Sequence, residues 1–186
     1  SGPDDPEEAA QWCVELGRLS TDKLRLGIVK LFLDGSIQGF TARLRPPGYF
    51  NGNPNGLWLM DPDTFAETLL ADHKAGLTIH CHCNGDEAVD VFLDAVEQAQ
   101  ATAPRMDHRH TIHHCQLTTR DQYQRMANLG ICANIFANHI YYWGDQHYGI
   151  TVGPDRAQRM EACATAKELG VHFALHSDAP ITPLNQ

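Results

Sequence analysis

The sequence contains no apolar run near the roughly 20 residues that a membrane span requires, and no basic-then-apolar leader of the kind that marks a signal peptide. It also lacks a clustered basic stripe. With a net charge of -9, histidine counted neutral, a phosphate backbone is a poor partner, so neither nucleic acid nor membrane is expected as a ligand. Gly-x-Gly-x-x-Gly and Gly-x-x-x-x-Gly-Lys-Ser/Thr are both absent, which removes the usual reason to expect a bound nucleotide. The six cysteines include no C-x-x-C pair and no disulfide-framework spacing; most lie in apolar runs, so they read as reduced, buried structural thiols in a reducing, cytoplasmic compartment. No histidine precedes Lys30.

The 186 residues, 42% of them hydrophobic and 20% charged, are enough to bury a sizeable core. Pro6 to Leu19 has Pro in its first turn, then acids and helical apolar spacing. Leu24 to Leu33 is a nearly continuous apolar run, as expected of a strand covered on both faces. Residues 38 to 60, with Pro46, Pro47 and Pro54, predict a long irregular loop of the kind used as a lid or binding loop. Asp61 caps a helix running to Lys74. A strand at Leu77 to Cys83 feeds a helix from Asp86 to Ala101. Strands at Arg109 to Gln116, Ile131 to Phe136 and Val171 to His176 follow, with helices at Thr118 to Leu129 and Pro154 to Leu169 and an aromatic loop at Asn138 to Gly153. The βα alternation predicts a parallel α/β sheet, either doubly wound or part of a (β/α)8 barrel; five strands are too few for a complete barrel.

Chemistry-bearing residues fall at the carboxyl ends of these strands. Lys30 stands between Val29 and Leu31, where an unpaired ammonium is expensive to bury. His80 and His82 share a strand face. His113 and His114 are adjacent, so only one faces the side of Ile112, and a period of two gives that side to His114. Asp178 follows the last strand, a position suited to metal binding, helix capping or general-base work. Nitrogen and carboxylate donors on neighbouring strands suit Zn²⁺ or a similar divalent ion with a position open for water.

At these residues the sequence resembles the amidohydrolase superfamily, and more narrowly amidohydrolase family 3, the N-substituted formamide deformylase-like enzymes. The matching segments are Val29 to Ala42 (VKLFLDGSIQGFTA), His82 to Asp90 (HCNGDEAVD), Arg109 to Leu117 (RHTIHHCQL), the NHIYYWGDQHY segment and Leu175 to Pro180 (LHSDAP). The resemblance implies a partial TIM-like, metal-dependent (β/α)8 barrel comprising roughly strands four to eight. It implies Lys30, His82, His114 and Asp178 as metal ligands, with Lys30 carboxylated so that it bridges two ions and Asp178 relaying the proton from water to the leaving amine. Carboxylation would also turn Lys30 from an unpaired cation into an anionic ligand. Two departures stand out. His113 occupies the place where relatives usually carry Glu, and the His-x-His of a first strand is missing upstream of Lys30, so His82 is read as a single ligand on strand five and not as half of that pair.

On this reading the chain is a single catalytic-domain fragment over residues 1–186, without strands one to three or the flanking β-sandwich domain. The expected function is hydrolysis of a linear, non-peptide C–N bond in a small N-acyl or N-formyl amine. In the aromatic loop, Tyr141, Tyr142 and Trp143 would wall the substrate's N-substituent, with His139 near the scissile carbonyl. The alternative is a non-catalytic fragment with an incomplete metal site that self-associates into homo-oligomers through open sheet edges.

Overall fold

The structure, a computed structural model, describes residues 3–184. Asp5 and Asp61 open the first two helices in the same way: each carboxylate accepts two backbone N–H groups of the first turn, and a proline takes the position where no N–H is needed. These helices are α1 (Pro6–Gly17) and α2 (Pro62–Lys74). Between them lies β1 (Ile28–Phe32), and after them β2 (Thr78–Cys83), α3 (Asp86–Thr102), β3 (Thr111–His114), α4 (Arg120–Leu129) and β4 (Cys132–Ile135). The remainder is α5 (His139–Gln146) with a π-helical turn at His147–Thr151, two short helices α6 (Pro154–Ala157) and α7 (Cys163–Glu168), and β5 (Phe173–Leu175). Among the described residues no helix is long and apolar enough to cross a membrane.

The five strands are parallel and ordered β1-β2-β3-β4-β5, an open α/β sheet that fits part of a (β/α)8 barrel. Alternation along each strand sorts the side chains into two sets. Leu31, Ile79, Cys81, Ile112, Ala133 and Ile135 point to the helices and pack with Phe65 and Leu69 of α2, Phe92 and Val96 of α3, and Tyr123 and Met126 of α4. The opposite face carries Lys30, His80, His82 and His113 and is open. Ile28 is 60% exposed and Phe32 47%, so the expectation that the first strand is covered on both faces is corrected: its helix side alone is buried.

Two further expectations are corrected. The aromatic segment 138–153 is helical: His139, Trp143 and His147 recur at a spacing of four, and the His139 ring stacks on both others, with centroids 4.5 Å from Trp143 and 4.9 Å from His147. The single helix expected from Pro154 to Leu169 is instead broken into α6 and α7. Glu161 takes a left-handed φ of 51° there, and its N–H bonds the Gln116 carbonyl beyond β3 at 3.2 Å. The long loop after β1 does fold over the strand ends. Arg43 forks onto Glu87 at 3.0 and 3.1 Å, and Arg156 joins it to α3 by gripping both oxygens of Asp86 at 2.8 and 2.9 Å.

Candidate metal centre

Strand register builds the site. Lys30 lies beside His80, and His82 beside His113, so four polar side chains share the open face. Lys30 Nζ donates to His113 Nδ1 at 2.8 Å, and His113 Nε2 lies 2.9 Å from His80 Nδ1. Lys30 is therefore neither unpaired nor enclosed. Burial, then the neighbouring Lys30 charge, pushes His113 down to about 3; burial also lowers Lys30 below the usual amine range.

His114 departs from the expected alternation. Ile112 faces the helices, but His114 has a φ of 78° and Cys115 one of 53°, and this left-handed turn swings the His114 ring to the other side. Its centroid lies 4.5 Å from that of His82, edge to face. From the far end of the sheet, His176 follows β5 and Asp178 sits two residues on, with a φ of 52°. One ligand atom from each of His114, His176 and Asp178 falls within 4.8 Å of the others.

The donor set fits a divalent cation. His114 Nδ1 and His176 Nε2 are buried and have no hydrogen-bond partner among the described residues, an arrangement that is costly unless something else takes their electron pairs. Burial is also the first cause lowering the pKa of His82, His114 and His176, so all three imidazoles are neutral and able to coordinate. Two imidazoles and a carboxylate, with His82 adjoining, make a nitrogen–oxygen set of the kind borderline divalent ions prefer.

Of the residues expected to hold metal, the fold therefore brings His82, His114 and Asp178 to one end of the sheet, with Lys30 on the same face one register step back. The expected substrate residues lie on α5. His139 is fully buried, with Nδ1 3.3 Å from His147 Nε2 and Nε2 3.3 Å from Gln38 Oε1; the Phe136 ring stands between it and His176, with centroids 5.0 Å from each. Trp143 is half-buried against His139, and Tyr142 is 46% exposed beside it. Sequence reasoning missed His176 as a ligand candidate, although it too is a strand-end histidine. It also missed His113 as the partner of Lys30. All six cysteines are free thiols, three of them buried.

A parallel α/β sheet that gathers histidines and an aspartate at the carboxyl ends of its strands has the layout of part of a barrel-type protein, with a candidate metal site at the strand ends. The chain belongs to the amidohydrolase family, whose model matches residues 6–186. It is 30% identical over 173 residues to Protein LONG AFTER FAR-RED 3 of Arabidopsis thaliana, a match covering 92% of this chain and 30% of that protein. A crystal structure of an uncharacterized metal-dependent hydrolase from Pyrococcus furiosus matches with a TM-score of 0.81 and 28% identity, covering 96% of this chain and 36% of that one. A second, from Pyrococcus horikoshii OT3, gives a TM-score of 0.80 at 25% identity, covering 96% and 35%. The chain thus spans about a third of the length of the relatives it matches.

Proposed function

We propose that this chain forms part of the catalytic domain of a metal-dependent hydrolase that cleaves a linear, non-peptide C–N bond, as in an N-formyl or N-acyl amine. The observation that carries the reading is the convergence of His114, His176 and Asp178 on one point, with two buried imidazole nitrogens lacking any other partner. Zn²⁺ suits that donor set; His114, His176 and Asp178 would hold it with His82 adjoining, and Lys30, carboxylated, would extend the set to a second ion. When bound, such an ion supplies Lewis-acid activation of water and of an acyl carbonyl. Asp178 takes the proton from the attacking water and delivers it to the leaving nitrogen, which departs as the amine while the acyl group leaves as the acid. Tyr142 and Trp143 offer an aromatic wall for the substituent on nitrogen, with His139 buried behind Trp143 as its support. The free thiols are consistent with a reducing, cytoplasmic setting.

The test is Asp178→Asn in the full-length protein. Turnover of an N-formyl amine should fall by about 10²- to 10⁴-fold, the usual worth of general acid–base catalysis, while elemental analysis still finds the metal. Unchanged turnover removes Asp178 from the mechanism.

One observation favours a second reading. The edge strands β1 and β5 leave apolar side chains about half exposed, Ile28 and Phe32 on the open face and Leu175 on the helix side, so the isolated chain would self-associate through those edges. Sedimentation of the purified chain decides this: a species that stays monomeric across a hundredfold range of concentration overturns it.

A further inference from the structure

Directly beyond β1, Asp34 is fully buried, yet no Lys or Arg pairs with it among the described residues; the nearest basic group is His82, at 3.8 Å. Its carboxylate instead takes three backbone N–H groups from two different loops. Oδ1 accepts from Asn84 at 3.0 Å; Oδ2 accepts from Gly85 at 2.8 Å and from Arg43 at 3.0 Å. One side chain thereby stitches the loop that follows β1 to the turn between β2 and α3. The two glycines in the seam are required by contact. A Cβ on Gly35 would lie 2.2 Å from Thr41 Oγ1, and one on Gly85 only 1.8 Å from the Arg43 carbonyl oxygen.

The seam presents one group to the candidate metal centre, the Gly35 carbonyl, whose two lone pairs are both used. His82 Nε2 lies 3.0 Å from this oxygen and Asn84 Nδ2 donates to it at 2.8 Å. A carbonyl oxygen only accepts, so the hydrogen of the short contact belongs to His82 Nε2. The next oxygen, Asp34 Oδ1 at 3.8 Å, favours the same placement. Asn84 Nδ2, 3.0 Å from His82 Nε2, is then the second of two donors converging on one acceptor. With its hydrogen on Nε2, the neutral His82 ring carries its lone pair on Nδ1.

We infer that Asp34 is a positioning residue for His82: it fixes the 34–35 backbone so that the Gly35 carbonyl holds the Nε2 hydrogen and leaves Nδ1 as the atom offered to a cation. This rests on the metal-centre reading for its purpose, though the tautomer itself does not depend on a metal. Hydrogen-bonded carbonyls of this kind, lying behind a histidine ligand, set ring orientation and tautomer, and their loss typically lowers metal affinity by about 10- to 100-fold.

The experiment uses the purified chain labelled with [15N]histidine, the His82 signals being assigned by their loss in His82→Gln. In the metal-free wild type, two-bond 1H–15N correlations should show His82 protonated at Nε2 and bare at Nδ1; a His82 protonated at Nδ1 overturns the inference without any Asp34 variant. In Asp34→Asn one of the backbone donors meets an amide N–H₂ in place of an oxygen. His82 should then become a mixture of tautomers, and Zn²⁺ affinity measured against a chromophoric chelator should fall by about 10- to 100-fold, with the melting transition still cooperative. An unchanged tautomer and unchanged affinity in that variant overturn the role given to Asp34. If the wild-type chain binds no Zn²⁺ at all, the metal-centre reading fails for this chain on its own, and the tautomer shift between wild type and Asp34→Asn still judges the positioning role alone.

Discussion

Lys30 Nζ lies 2.8 Å from His113 Nδ1, a contact between β1 and β3 that passes over β2. His113 relays it to His80 at 2.9 Å, so the amine is the first member of a chain that ends within the sheet. A net hydrogen bond of about 1 kcal/mol corresponds to roughly a fivefold restraint on the amine. His113→Phe keeps the ring and removes the acceptor. Mass-spectrometric footprinting with an amine-acylating reagent should then show Lys30 modified about five times faster than in the wild type, with other lysines unchanged. Equal rates would mean the contact is not held in solution.

A cation that binds the folded site and not the unfolded chain must stabilise the fold. At a free concentration 100 times its dissociation constant the gain is about 2.7 kcal/mol. Titration with Zn²⁺ should therefore raise the melting temperature of the chain, and removal of the ion with a chelator should reverse the shift. His176→Ala deletes one of the converging ligands and should abolish the effect. A shift of the same size in that variant would place the ion elsewhere.

At the opposite end of the strands three histidines interlock. His73 Nδ1 lies 2.8 Å from His110 Nε2, and His73 Nε2 donates to the Ala103 carbonyl at 2.7 Å. His110 Nδ1 accepts from Ile79 N–H at 3.1 Å, while His108 Nδ1 accepts from His110 N–H and its Nε2 donates to the Leu129 carbonyl. Each ring thus has one accepting and one donating nitrogen, and each is neutral. The charged groups around them are Arg105, which grips the carbonyls of His73, Gly76 and Leu77, and Asp107; neither accepts a hydrogen from the rings. Burial lowers all three pKa values, that of His110 to about 2 from an ordinary 6.5. The unfolded chain takes up protons below pH 6.5 and the folded one does not, so stability is lost as the pH falls from 6.5 towards 2. At pH 5 the loss from His110 alone is about 2 kcal/mol. Chemical denaturation at pH 7 and pH 5 should show this loss in the wild type and a smaller one in His110→Asn. Equal losses would exclude His110 as a source.

The order and type of the βα elements were legible because caps and periodicity act locally. Asp61 bonds its own first turn, and the apolar residues of the Asp86 helix recur at helical spacing whatever lies beyond them. What escaped depends on contacts between distant segments. Lys30 and His113 are 83 residues apart, and only the parallel register makes them neighbours. His114 was assigned to the side of Ile112 by strict alternation, a rule that ends where its backbone turns left-handed. The break between α6 and α7 has the same origin, since helical propensity favours continuity and the bond from Glu161 N–H to the Gln116 carbonyl overrides it. The aromatic segment is a different case. Its stacking residues His139, Trp143 and His147 were present at helical spacing, but the glycine and asparagine around them read as loop.

Glu161 at that break is 7% exposed, and neither of its carboxylate oxygens has a partner among the described residues. Burial, opposed only by the Phe136 backbone, raises its pKa well above the ordinary 4.5, so the folded protein holds the proton where the unfolded chain releases it. A carboxyl raised in this way leaves stability intact below pH 4.5 and removes it as the pH climbs through the folded value. Gln has nearly the same shape and nothing to ionise. Glu161→Gln should therefore stabilise the protein at pH 7 by about 1–3 kcal/mol, the usual worth of relieving a buried polar group of its desolvation penalty, and the advantage should shrink towards zero at pH 4. Denaturant midpoints of both forms at the two pH values measure it. An advantage that stays constant with pH would show that Glu161 does not titrate between the folded and unfolded states, and that its burial is relieved in solution by water or a shift of the α6–α7 turn.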